Sequence, residues 1–111
     1  MARAACKPFR IVVFQEGDQL CAQYVDVDLS AQARTLPELY RALDRLIRGH
    51  IAVRRRYKQR PFEDLPPAPQ KYREMFERSK IQLPTQLVRL EADGIVVPPP
   101  EVRVAAPTTA A

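Results

Sequence analysis

From Leu36 onward, apolar residues recur at i, i+3, i+4 and i+7. Leu36, Leu39, Tyr40, Leu43, Leu46, Ile47, Ile51 and Tyr57, with His50 inside the row, make one stripe of an α-helix. The entry is marked by Thr35-x-x-Glu38. In such a capping box the Thr35 hydroxyl accepts from the Glu38 N–H, while the Glu38 carboxylate reaches back to the Thr35 N–H. Pro37 in the first turn forfeits no helical hydrogen bond. The pattern predicts a helix from Leu36 to Lys58, about 34 Å long at ~1.5 Å per residue. A stripe of that length needs an apolar surface to lie on.

The preceding residues supply one. Residues 9–15 are β-branched and aromatic, with Phe9, Ile11 and Val13 on one face and Val12 and Phe14 on the other. Both faces are apolar, so this strand is expected to be covered on both sides or to lie mid-sheet. Glu16-Gly17-Asp18 is a turn in which glycine supplies positive φ. Residues 19–25 form the return strand, residues 26–30 a polar bend, and residues 31–34 a short third strand leading into Thr35.

After the helix, four prolines between Pro61 and Pro69 make an extended strap, with Phe62 and Leu65 as its anchors. Residues 70–80 form a second, short helix with Tyr72, Met75, Phe76 and Ser79 on one side. Residues 81–84 break it. Asp93-Gly94 is a hairpin signal between residues 87–92 and 95–97. Residues 101–111 form an arm, or are ordered by adding Val102 and Val104 to a neighbouring edge.

The expected fold is therefore α+β. A three-stranded antiparallel sheet is packed by one long amphipathic helix, then come a proline-rich strap, a short second helix and a C-terminal arm or hairpin. Residues 9–80 are expected to make the α+β domain, and residues 81–111 a partly mobile C-terminal hairpin or extended arm.

Composition narrows the partners more than the chemistry. In 111 residues there are 18 Lys and Arg against 13 Asp and Glu, a net charge of +5, which favours a polyanion or an acidic protein surface. There is no Trp, so a thin two-layer core is expected, without a deep substrate cavity. Cys6 and Cys21 have no metal-ligand spacing and read as reduced thiols of a cytosolic protein. No apolar run resembles a secretory signal or a membrane span, so a cytoplasmic chain without membrane association is expected.

The order of strand, acid-glycine-acid turn, strand ending in Asp28-Leu29, the run Ala31-Gln32-Ala33, and Thr35-Leu36-Pro37-Glu38-Leu39 with Ala42-Leu43 resembles the HicB-like antitoxin family. The resemblance covers residues 9–57. It implies a partial ribonuclease-H-like β-β-β-α domain without nuclease activity, which binds and neutralises a small RNA-cleaving toxin or a related protein partner. Arg34 stands where the family often has glycine, and no DNA-binding motif follows Gln70. These departures from the family pattern point to a stand-alone member.

Other candidate chemistry is sparse. Arg48, Arg54, Arg55, Arg56, Lys58 and Arg60 cluster at the helix end, as contacts for a polyanion (RNA or DNA) or an acidic partner, or as solvated charges favoured by the helix dipole. His50 reads as a half-buried ring hydrogen-bonded to a carbonyl or a Tyr. Asp26, Asp28 and Asp44 do not form the converging acids of a two-metal nuclease, and Asp44–Arg48 reads as an i, i+4 pair. Neither a cofactor site nor an enzyme is expected. The residues point to a protein-interaction module, with a small basic nucleic-acid-binding regulator as the alternative. A homodimer through an edge strand or the C-terminal arm is compatible with both.

Overall fold

The computed structural model describes residues 3–4, 10–83, 90–92, 95–97 and 100–105. Phe9, Cys6, Pro84, the Asp93-Gly94 turn and residues 106–111 lie outside them. Three strands open the main sheet: β2 (Arg10–Glu16), β3 (Gln19–Tyr24) and β4 (Ser30–Ala33), paired antiparallel in sequence. They follow a two-residue β1 (Arg3–Ala4). Glu16 pairs with Gln19, so Gly17 and Asp18 are the whole loop. Gly17 takes φ +64, a conformation glycine adopts readily because it has no Cβ.

Helix α1 (Leu36–Arg56) follows, and its entry is the expected one with a variation. The Thr35 hydroxyl accepts from the Glu38 N–H at 3.3 Å, and the same hydroxyl donates to the Glu38 carboxylate at 2.8 Å. The stripe lies on the sheet. Leu39, Leu43 and Ile51 are wholly buried and pack with Ile11, Val13, Ala22, Tyr24, Val27 and Val102. Tyr57, counted in the stripe from sequence, is instead exposed just past the helix end. The Tyr40 hydroxyl is buried there without a hydrogen-bond partner among the described residues.

The strap behaves as its composition dictates. Phe62 and Leu65 pack on the α1 side of the core. The Pro66 carbonyl accepts from the Asp28 N–H at 2.8 Å, and the Ala68 N–H donates to the Val25 carbonyl at 3.2 Å. The chain is thereby carried to the opposite face of the sheet, where α2 (Gln70–Arg78) buries Phe76 against Val12 and Val25. The alternation in β2 explains the two layers: Ile11 and Val13 meet α1, while Val12 and Phe14 meet α2.

The three-stranded sheet is the part of the expected fold that needs correction. β5 (Ile81–Leu83) and β8 (Glu101–Val104) extend it to five strands, in the order β4-β3-β2-β8-β5. β8 runs parallel to β2, with Ile11 opposite Val102 and Val13 opposite Val104, and antiparallel to β5. Residues 101–104 are thus an interior strand of a mixed sheet: of the two readings from sequence, Val102 and Val104 added to a neighbouring edge is the one found, and the extended arm is not. The physical reason is β2 itself. Apolar on both faces, it needs a hydrogen-bonding neighbour on each side, and an edge position would leave half its backbone groups unpaired. The remaining strands, β6 (Leu90–Ala92) and β7 (Ile95–Val97), pair antiparallel, and β1 joins β7 in parallel. Arg3 and Ala4 are therefore strand.

Candidate functional site

The outer face of α1 gathers a row of arginines. At ~100° per residue, Arg41, Arg45, Arg48, Arg55 and Arg56 fall within an arc of about 100°, directly opposite the buried stripe. All five are exposed. They run along about 22 Å of helix at ~1.5 Å per residue. Two acids flank the row: Glu38, bound to Thr35, and Asp44, whose carboxylate pairs with Arg48 at 3.0 Å.

The six basic residues singled out from sequence do not stay together. Arg48, Arg55 and Arg56 belong to this ridge. Arg54 turns inward, its side chain only 16% exposed, and bridges to Asp64 at 3.1 Å and Gln59 at 3.3 Å. Arg60 lies in the strap, 3.7 Å from Glu63. Lys58 occupies a left-handed turn at φ 56 that ends the helix path. Arg41 and Arg45 were passed over in the sequence, although the i, i+4, i+7 spacing to Arg48 that located the apolar stripe also locates them.

Acidic chemistry does not assemble. Asp26 takes the Arg10 guanidinium at 2.6 Å and the Arg10 N–H at 3.1 Å. Asp28 accepts at 3.1 Å from the buried Gln23 amide, which also holds the Tyr24 and Leu29 carbonyls and so fixes the bend. With Asp44 on Arg48, the three acids nearest a nuclease pattern are each spent on a different partner. Among the described residues no three His, Cys, Asp or Glu side chains group to hold a metal ion. No helix among them is long and apolar enough to cross a membrane. Cys21 is a free, buried thiol, its pKa raised by that burial and by Glu16.

No family model, curated protein or solved structure matches this chain. Its surfaces have to be read from their own geometry.

His50 is half-buried, as expected, but its partner is neither a carbonyl nor a tyrosine. The Phe62 N–H donates to its Nε2 at 2.9 Å, and the two rings stack with centroids 4.8 Å apart. An accepting Nε2 requires the neutral imidazole. Phe62 sits at φ +68, a costly conformation for a bulky residue, which the bond and the stack help to hold. Burial first, and then the Arg54 charge, lower the His50 pKa. A lowered pKa means the unfolded chain binds the proton first. Stability from this group is therefore complete above the ordinary histidine value of about 6.5 and falls as pH drops through the depressed folded value. We expect the urea midpoint to decline below pH 6.5 and the His50→Gln variant to lose that part of the decline; an identical slope in the variant would contradict the assignment.

On the other face, Arg103 and Arg10 flank Phe76, with guanidinium carbons 4.3 and 5.7 Å from the ring centre. Arg103 Nη1 also donates to the Phe76 carbonyl at 3.2 Å, which caps the end of α2. The Ser79 hydroxyl donates to the Val104 carbonyl. These groups fasten α2 to β8.

Proposed function

We propose that this chain is a non-catalytic interaction module of the HicB-like kind, which binds and neutralises a small RNA-cleaving protein or a related partner. The observation that carries the reading is the order β2-β3-β4-α1, with the Thr35 cap at the helix entry and the helix stripe filling the space above the sheet. Supporting it, the acids that a nuclease would converge on metal ions are consumed by Arg10, Gln23 and Arg48.

Both sheet faces carry a helix, so the sheet offers a partner its edges. β4 is an edge strand with Ser30 and Gln32 exposed. Its free backbone groups suit addition of a partner strand. The test is capture with the intact chain as bait, followed by RNA-cleavage assays on what is recovered. The expected result is a small ribonuclease whose activity is quenched at about one equivalent of added chain. A recovered ribonuclease that stays fully active, or none recovered, would overturn the reading.

A further inference from the structure

We infer that the arginine ridge on the outer face of α1 is a binding surface for the phosphate backbone of duplex DNA. This stands apart from the partner-binding reading, which uses the sheet edge. Three observations carry it. The first is charge on a rigid element. Arg41, Arg45, Arg48 and Arg56 are exposed on a helix held from behind by the wholly buried Leu39, Leu43 and Ile51, so the charges are presented at fixed spacing. Guanidinium groups suit phosphate through paired N–H donors and hold their charge at every physiological pH.

The second is relief. Ala52 lies in the middle of the ridge, and Gly49 beside it is exposed, with nothing within 4 Å of where a Cβ would stand. Glycine inside a helix costs roughly 0.5–1 kcal/mol relative to alanine, and packing within the fold does not require it here. A low centre between flanking arginines lets the helix axis approach a groove while the long side chains reach the rims.

The third is what the ridge lacks. Recognition of single strands relies on aromatic platforms on which bases stack, and the ridge arc holds none. Tyr57, exposed past the helix end, lies about 100° outside that arc at ~100° per residue. Between duplexes, the B-form major groove is wide enough for an α-helix, whereas the A-form major groove is too narrow for side chains to enter. Without amide side chains on the ridge to pair with adenine edges, backbone contact dominates, and weak sequence preference is expected.

The test is fluorescence anisotropy with the intact chain and four labelled probes: a 20-base-pair DNA duplex, the RNA duplex of the same sequence, the single strand, and polyglutamate. Each is titrated at several salt concentrations. We expect the DNA duplex to bind most tightly. In Arg41→Gln/Arg45→Gln/Arg56→Gln its affinity should fall at least about tenfold at low salt, and the log-affinity against log-salt slope should shrink by about 3, since each phosphate contact contributes ~0.9. Lys71→Gln/Arg73→Gln/Lys80→Gln removes equal charge from α2 and its end, and should leave the slope unchanged. Circular dichroism establishes that both variants are folded. Equal loss in the two variants, tighter binding of the RNA duplex or the single strand, or binding of polyglutamate alone would each overturn the proposal; the last would assign the ridge to an acidic protein.

Discussion

Val102→Asp is expected to remove a large part of the fold's stability. Val102 is wholly buried, opposite Ile11 in the parallel pairing of β8 with β2, and packs in the cluster under α1. A carboxylate placed there has no cation facing it within that cluster, so it ionises at a high cost or protonates with an unmet hydrogen-bonding group. Uncompensated buried charges in mutated pairs cost about 3–5 kcal/mol, against a total stability of about 5–15 kcal/mol for a domain. If residues 101–104 were a solvated arm, the same change would cost less than about 0.5 kcal/mol. Urea unfolding followed by circular dichroism separates the two, and Val102→Thr, nearly the same size, keeps the comparison readable if the aspartate variant never folds. The threonine variant is expected to unfold cooperatively at a clearly lower midpoint, because its buried hydroxyl costs about 1–3 kcal/mol.

Leu43→Ala comes second. Leu43 is wholly buried midway along α1, packed against the strand face formed by Ile11, Val13 and Ala22. Removing its isobutyl group forfeits transfer energy and leaves a cavity, together about 2–5 kcal/mol. At about 4–8 °C per kcal/mol for a domain near this size, the melting temperature should drop by roughly 10 °C or more. The helix is unchanged in propensity, since alanine favours helix at least as well as leucine, so the loss reports packing alone. Arg45→Ala, two residues along on the outer face, should change stability by less than about 0.5 kcal/mol. Similar losses at the two positions would mean that the buried face of α1 had been misassigned.

What could be read from the sequence follows from how local each signal is. The helix was legible because its stripe and its cap lie within one continuous segment, and the two-sided burial of β2 was legible because Ile11 and Val13 alternate with Val12 and Phe14. The strand at residues 101–104 was legible only as an alternative to an arm, and its interior, parallel place was not. Four residues beside prolines carry little pattern of their own, and parallel pairing with Arg10–Glu16 is fixed by what β2 lacks on its far side, which no local motif announces. The same holds for Ile81–Leu83, which reads as a helix breaker and becomes the sheet edge.

The basic residues show a different failure. Arg54, Arg55 and Arg56 draw attention as neighbours in sequence, yet neighbours on a helix point in different directions. Arg54 follows His50 and Ile51 around to the strap and meets Asp64, while Arg41 and Arg45, farther away in sequence, stand in line with Arg48. The His50–Phe62 bond joins residues from α1 and the strap through a backbone N–H, and no side-chain pattern could have named that donor.

The arrangement of both helices, and with it the surfaces left for binding, depends on the C-terminal strand lying inside the sheet. Amide hydrogen exchange read residue by residue tests this most directly. The Ala105 N–H donates to the Val13 carbonyl at 2.8 Å, and β8 is paired on both sides. The amides of residues 102–105 should therefore exchange as slowly as those of residues 11–13, at rates set by opening of the whole domain. Exchange at the rate of an unstructured peptide in residues 102–105, with residues 11–13 still protected, would contradict the five-stranded sheet.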